Sequence, residues 1–179
     1  MIDSRSVSPN EGLEHLAPAA VAVLRWLVTG RVDFVLVGPV ARAIRGDLDA
    51  QGPVGIVPAP YGRNLDRLAR MLNAARARAR IPSESGSAAG ELKLEPETLL
   101  RARRWALRCG DFDLDIEGWP AGSPRYQELL YESSRLAVAP ELFIEVAAPE
   151  DIEHYDHVRR HGTAPEIRVT RNVSAPEAG

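Results

Sequence analysis

Two short runs of acidic residues have a spacing that could bind a metal ion. Asp47 and Asp49 are separated by one apolar residue, and Asp113, Asp115 and Glu117 alternate with apolar residues along a second run. Carboxylates that converge on one point supply the oxygen ligands that Mg²⁺ prefers, and the bound ion can stabilise negative charge that develops during a reaction. We therefore take Asp47, Asp49 and Asp113 as candidate catalytic residues, and Asp113 and Asp115 as candidate metal ligands.

Each run also has a structural explanation. Asp47 directly follows Gly46, which ends a predicted helix, so the first run is typical of a solvated loop. A functional pair would have to lie on a rigid strand edge facing Asp113, whereas the apolar strand pattern begins only at Val54. The alternation in the second run is typical of an edge hairpin with one face in solvent, and we expect that arrangement.

Two other clusters could bind a ligand. His154, His157 and His161 lie at i, i+3 and i+7 of a predicted helix, a spacing that can hold zinc, although an exposed terminal helix with polar histidines also explains it. Arginines are frequent between Arg63 and Arg80 and could attract RNA. A charged outer helix face explains them equally, and few aromatic residues are interleaved for base stacking.

Apolar periodicity predicts the elements that position these residues in the first half of the chain. A helical stripe ends at Gly30, and the apolar run that follows is typical of a strand buried on both faces. A short helix comes next and is ended by Gly46. The predicted helices span residues 17–29, 40–45 and 64–80, and the predicted strands span 34–37 and 54–57.

The second half is predicted to contain more strands. Residues 103–117 have a strand, turn, strand pattern. Ser123 and Pro124 are typical of a helix start, with a side-chain cap followed by proline in the first turn. The remaining predicted elements are a helical turn at 96–100, a helix through 126–130, strands at 136–138 and 142–146, and a last helix from 148. Polar segments 1–12 and 162–179 are predicted to be disordered tails around a single domain, 13–161.

Composition agrees with one globular domain. The chain has 179 residues, of which 45% are hydrophobic and 26% charged, and its net charge of −3 gives no general case for nucleic-acid binding. Cys109 is the only cysteine and cannot form an internal disulfide. No stretch approaches the ~20 apolar residues needed to span a bilayer, and residues 1–12 do not resemble a signal peptide. We expect a cytoplasmic protein without a membrane partner.

The order of elements resembles the minimal nucleotidyltransferase superfamily, especially its small bacterial members, some of which belong to toxin–antitoxin or phage-defence pairs. The similarity covers about residues 18–157. In that family a strand ends in two small residues, a short helix follows, and the next strand reads Asp-apolar-Asp, with another Asp on a later strand. The resemblance implies that the glycines admit a triphosphate and that three carboxylates hold two metal ions.

This sequence keeps the order and spacing of the family's elements but departs from the family at the functional positions. Gly38 is the first turn residue, but Pro39 stands at the second, and both would contact the phosphates. The two acids of the Asp-apolar-Asp strand correspond to Pro53 and Gly55, so of the three family acids only the later one is kept, as Asp113. The family also places a lysine near the phosphates at the position of Asp156. Pro39 removes an N–H, and Asp156 would repel a triphosphate.

The resemblance therefore implies an α/β fold, with a nucleotidyltransferase-like mixed sheet and flanking helices, whose metal-dependent activity is lost. We expect the protein to act by binding, either to a protein partner or to a nucleotide without turnover. The alternative is an active enzyme that uses Asp47, Asp49 and Asp113 with magnesium and a nucleoside triphosphate to modify a protein, an RNA or a small molecule. An RNA adaptor that uses the arginine-rich helix stays open as a third hypothesis.

Overall fold

The described part of the chain forms one seven-stranded mixed sheet flanked by helices. A computed structural model describes residues 13, 15–80, 94–99, 104–118 and 122–161. The helices are α1 (Pro18–Thr29), α2 (Gly38–Ile44), α3 (Gly62–Ala74), α4 (Pro96–Leu99), α5 (Tyr126–Glu132) and α6 (Pro149–His161). The strands are β1 (Phe34–Val37), β2 (Val54–Pro58), β3 (Arg78–Ala79), β4 (Arg104–Cys109), β5 (Phe112–Glu117), β6 (Ser134–Ala139) and β7 (Leu142–Val146).

The first two strands lie at the centre of the sheet. The strand order is β3-β4-β5-β2-β1-β7-β6, with β1 antiparallel to β2 and each of them parallel to its outer neighbour. All residues of β1 and β2 are buried, as their continuous apolar runs predict. The mixed sheet and its flanking helices confirm the predicted fold class.

Helices cover both faces of the sheet, which can be seen at β5. Successive side chains of a strand point to opposite faces, so Phe112 and Asp115 lie on different sides. The ring of Phe112 packs against Trp26 of α1, with 5.6 Å between centroids. On the other face Asp115 accepts a hydrogen bond from Arg159 of α6. The acidic face of β5 is therefore covered by a helix.

That arrangement corrects the expectation of a solvent-exposed edge hairpin. β5 is an interior strand between β4 and β2, and the side chains of Asp115 and Glu117 are buried, with 1% and 7% exposure. Alternation of polar and apolar residues normally marks a half-exposed sheet. Here the polar face is buried because α6 packs over it and brings a positive charge.

Two boundary predictions were also wrong. The long helix α3 ends at Ala74 rather than Arg80, because Arg76 adopts a left-handed backbone (φ 53°) and the next residues pair with β4 as β3. Ser123 does not cap α5, which begins after Arg125 without a side-chain cap. Instead the Ser123 hydroxyl and His154 Nε2 share a buried hydrogen bond of 2.8 Å.

The predicted tails, 1–12 and 162–179, lie outside the described residues, so both stay predictions. Within the described segments, no helix is long and apolar enough to cross a membrane.

Candidate functional site

A glycine turn joins strand β1 to the short helix α2, as the pattern of apolar residues and glycines predicts. β1 ends at Val37, and Gly38 then adopts a positive φ of 78°, which suits glycine, as the chain enters α2. Gly55 of β2 lies directly opposite Val37 in the antiparallel register. A Cβ atom on Gly38 would lie 3.9 Å from the Gly55 Cα atom, so the two glycines bring the turn and β2 into close approach.

Pro39 changes the surface of this turn. It is the second residue of α2 and has no N–H to offer an anion. The loop before β2 lies against its ring, since a Cβ atom on Gly52 would be 2.7 Å from Pro39 Cγ. The turn that would face a phosphate therefore packs against a neighbouring loop through an apolar ring.

The strand positions that would carry the first two acids have no carboxylate. Pro53 immediately precedes β2, and Gly55 is fully enclosed within it. A Cβ atom on Gly55 would lie 3.0 Å from the carbonyl oxygen of Val37 on the adjacent strand. Such a contact is tighter than normal van der Waals packing, so even a small side chain at position 55 would require β1 and β2 to shift.

The strand register brings Asp115, rather than Asp113, next to Gly55. The pairing of β2 with β5 matches Gly55 to Asp115 and Val54 to Leu114. Asp113 lies one residue beyond that pair, is partly exposed, and has its Oδ1 3.8 Å from Arg108 Nη1. The resemblance to the family pattern selected Asp113 as the kept acid. In the structure, the residue directly beside Gly55 in the neighbouring strand is Asp115.

Asp115 is engaged by two arginines. Arg80 Nη2 donates to its Oδ1 at 2.6 Å, and Arg159 Nη2 donates to its Oδ2. Both carboxylate oxygens thus accept charge-assisted hydrogen bonds, although the side chain is only 1% exposed. A metal ion at Asp115 would have to displace at least one of these guanidinium groups.

Glu117 extends this cluster along β5. Its Oε1 lies 3.9 Å from Arg159 Nη2, so this arginine is close to both buried acids. Burial raises the pKa of Glu117 to about 7, and the nearby positive charges of Arg104 and Arg159 only partly oppose this effect. Glu117 is therefore a buried carboxyl whose charge is disfavoured in the folded protein.

The other predicted acids lie apart from β5. Asp47 and Asp49 are exposed in the loop between α2 and β2, where the Asp49 N–H donates to Asp47 Oδ1 at 3.2 Å. This is a local turn contact of the kind that aspartates form in solvated loops. Among the described residues, no three His, Cys, Asp or Glu side chains lie together in a way that could hold a metal ion.

The histidines of α6 do not form a joint site either. His154 is buried against Ser123, while His157 and His161 contact each other with 4.4 Å between ring centroids. Similarly, the arginines between Arg63 and Arg80 do not share one helix face, because that segment divides between α3 and β3.

A second ion-pair cluster joins α2 to α6. Arg42 donates to Asp156 and to Glu153, and its hydrogen bond to Asp156 is the largest factor that raises the pKa of Arg42. One turn further along α2, Arg45 donates to the carbonyl oxygens of Val146 and Ala147 at 3.1 and 2.8 Å. The position at which the family has a lysine is thus occupied by an acid that pairs with α2.

Sequence reasoning missed Arg80 and Arg159 as partners of the acidic face. They lie 35 and 44 residues from Asp115 along the chain, and no local pattern links them. The only signal in the sequence was indirect. If the carboxylates of β5 are buried, each of them needs a cation or several hydrogen-bond donors from elsewhere in the chain.

The arrangement of elements defines a nucleotidyltransferase-like fold. A strand, glycine turn, short helix and antiparallel strand are followed by a parallel strand that carries the remaining acids. A crystal structure of a Thermotoga maritima protein, provisionally described as a nucleotidyltransferase, is similar to this chain with a TM-score of 0.51. The similarity covers 88% of this chain and 93% of that one at 14% sequence identity, and it establishes the fold alone.

No protein-family model matches the chain. The curated proteins contain no match either.

Proposed function

We propose that this protein has a nucleotidyltransferase fold whose metal-dependent transfer activity is lost, and that it acts by binding. The observation that carries the proposal is the state of Asp115. Asp115 lies beside Gly55, a position that carries a metal-binding acid in the family that the sequence resembles. Both of its oxygens nevertheless accept hydrogen bonds from arginines. A hard divalent cation needs several oxygen ligands, and the neighbouring positions 53 and 55 supply none.

The residues at the glycine turn support the same proposal. Pro39 offers no N–H, and its ring packs against the loop at Gly52. Asp156 lies where the family has a lysine, and with Glu153 it pairs with Arg42 of α2. A triphosphate at this turn would meet an apolar ring and carboxylates that already hold the neighbouring Arg42. The residues present therefore do not fit the magnesium and triphosphate that the fold family implies.

The test is a transfer assay with α-phosphate-labelled nucleoside triphosphates and Mg²⁺ or Mn²⁺. Cellular protein, total RNA and the chain itself would serve as acceptors. We expect no label above the level of a heat-denatured sample. Labelling by the native chain that is abolished in Asp113→Asn would overturn the proposal, because the variant changes a partly exposed carboxylate and leaves the pairing of Asp115 with Arg80 and Arg159 intact.

One observation favours the alternative of an active enzyme. Asp113 Oδ1 is buried, accepts no hydrogen bond among the described residues and lies 3.8 Å from Arg108 Nη1, so a cation that displaces Arg108 could bind it. That enzyme would use Asp47 and Asp49 together with Asp113. Its specific test is the double variant Asp47→Asn/Asp49→Asn, which would lose label transfer if these loop acids move to β5 when nucleotide binds.

For the biological role, we propose a regulatory component of the toxin–antitoxin kind, a role suggested by the resemblance to small bacterial members of the superfamily. The protein would bind a partner protein or hold a nucleotide without turning it over. Expressing the chain alone, its adjacent reading frame alone, and both together in a bacterial host tests this role. Growth arrest by one product that the other relieves is the expected result, and unchanged growth in all three strains would contradict it.

A further inference from the structure

A cavity of about 410 Å³ opens at the end of β1 opposite the glycine turn. It lies where the chain leaves α1 and enters β1, and it is bordered by α3, α5, β6 and β7. Asp33 at this end and Gly38 at the other are separated by five residues, or about 16 Å of extended chain. The cavity is therefore distinct from the glycine turn and from the buried acids.

Three arginines line this cavity. Arg31, Arg67 and Arg135 come from the α1–β1 connection, from α3 and from β6. None of them forms an ion pair with a carboxylate in the described part of the chain, even though Asp33 and Glu145 line the same cavity. Arg135 lies directly opposite Glu145 in the antiparallel register of β6 and β7, so charges of both signs line the cavity.

Other contacts hold the charged groups in place. Arg67 Nη1 donates to the carbonyl oxygen of Arg31 at 3.2 Å, and the guanidinium of Arg135 lies 5.3 Å from the centre of the Phe143 ring. Glu145 accepts a hydrogen bond from the Ser133 hydroxyl at 3.0 Å. These contacts restrict the side chains of Arg67, Arg135 and Glu145 before any ligand arrives, which lowers the entropy cost of binding.

The backbone at the entrance to β1 is fixed as well. Asn64 is 2% exposed, accepts from the Asp33 N–H at 2.7 Å and donates to the Asp33 carbonyl oxygen at 2.8 Å. Tyr126 forms a buried wall of the cavity. Burial, together with the charges of Asp33, Tyr61 and Glu145, raises the pKa of its phenol to about 12. Tyr126 therefore stays neutral at physiological pH and keeps its hydroxyl proton.

We propose that this cavity binds a small organic anion, a carboxylate or phosphate ester with an apolar body, through Arg31, Arg67 and Arg135. Guanidinium groups match the planar oxygens of carboxylate and phosphate. Phe143 and the buried ring of Tyr126 offer apolar surface for the body of the ligand, and the carboxylates accept from its hydroxyl or amino groups. The volume lies within the usual range of small-molecule sites, roughly 300–1,000 Å³.

Calorimetric titration with phenyl phosphate and with phenylacetate tests the proposal, with benzyl alcohol as the neutral probe. We expect at least one of the anions to bind with a dissociation constant below about 1 mM at low salt, and to bind more tightly than benzyl alcohol. Arg67→Gln and Arg135→Gln should each weaken that binding about tenfold. All three arginines are exposed, so these variants should fold normally.

Arg70→Gln is the matched control. Arg70 lies on the same helix as Arg67 but pairs with Asp66 outside the cavity, so its variant should bind as the wild type does. Binding of phenyl phosphate alone or phenylacetate alone would identify the anion and support the proposal. Equal binding of benzyl alcohol, no binding of either anion, or equal weakening in Arg70→Gln would overturn it. None of these outcomes bears on metal-dependent transfer at the opposite end of β1.

Discussion

Replacing Asp115 by asparagine tests whether the acidic face of β5 is structural. The side chain is 1% exposed and accepts hydrogen bonds from Arg80 and Arg159, whose side chains are 25% and 22% exposed. Asp115→Asn keeps the size and shape of the residue but removes its charge. The two guanidinium groups would then be close to each other without the negative charge of Asp115 between them.

The expected destabilisation is about 3 kcal/mol. Breaking a buried ion pair by removing one partner costs roughly 3–5 kcal/mol, because the remaining charge is left uncompensated. Both arginines are partly exposed and can regain some hydration, so the lower end of that range applies. In the opposite case, a carboxylate kept for metal binding and held near other acids is commonly a source of instability, and its replacement is neutral or stabilising.

Urea unfolding followed by circular dichroism measures the difference. The control is Asp66→Asn, which breaks the exposed pair with Arg70 on α3 and should cost no more than about 0.5 kcal/mol. In the Asp115→Asn background, the additional change Arg159→Gln should cost less than it does in the wild type, because the two residues interact directly. A change of less than about 1 kcal/mol for Asp115→Asn, or a gain in stability, would refute the structural role.

Three further predictions follow from the same structure. Burial raises the pKa of Glu117 from 4.5 to about 7, so between these pH values the folded protein keeps a proton that the unfolded chain releases. From pH 4.5 to 7 the wild type should therefore lose up to about 3 kcal/mol of unfolding free energy relative to Glu117→Gln, and a constant difference between the two proteins would contradict this. Gly52→Ala should destabilise by about 1–2 kcal/mol in urea unfolding because its Cβ would meet Pro39, and Pro39→Ala should recover part of that loss; an equal cost in both backgrounds would refute the contact. Burial raises the pKa of Cys109 to about 11, so at pH 8 its thiol should react with a disulfide reagent about a hundredfold more slowly in the native protein than in urea. Equal rates would show that the thiol is accessible and would contradict this prediction.

The central strands could be predicted because their signals are local. Phe34–Val37 and Val54–Pro58 are continuous apolar runs bounded by glycine and proline, and the short helix between them is also bounded by glycines. The end of α3 could not be predicted in the same way. Residues 75–80 alternate alanine and arginine, which are good helix formers, but pairing of β3 with β4 overrides that preference.

The candidate site was only partly predictable for a related reason. The frame of the resemblance located Gly38, Pro39 and Gly55 from sequence alone. Choosing between Asp113 and Asp115 requires the register of β5 against β2, which no local pattern specifies. The burial of that face also depends on side chains that come from distant parts of the chain, and a strand with alternating acids has the same sequence whether solvent or a helix covers it.

The most direct measurement of the central claim is a calorimetric titration of the chain with nucleoside triphosphates in the presence and absence of Mg²⁺. We predict no binding of Mg²⁺ alone and no increase in the affinity of any nucleotide when Mg²⁺ is added, because Asp115 is already paired with arginines and positions 53 and 55 carry no carboxylate. Micromolar nucleotide binding that requires Mg²⁺ and disappears in Asp113→Asn would contradict the account.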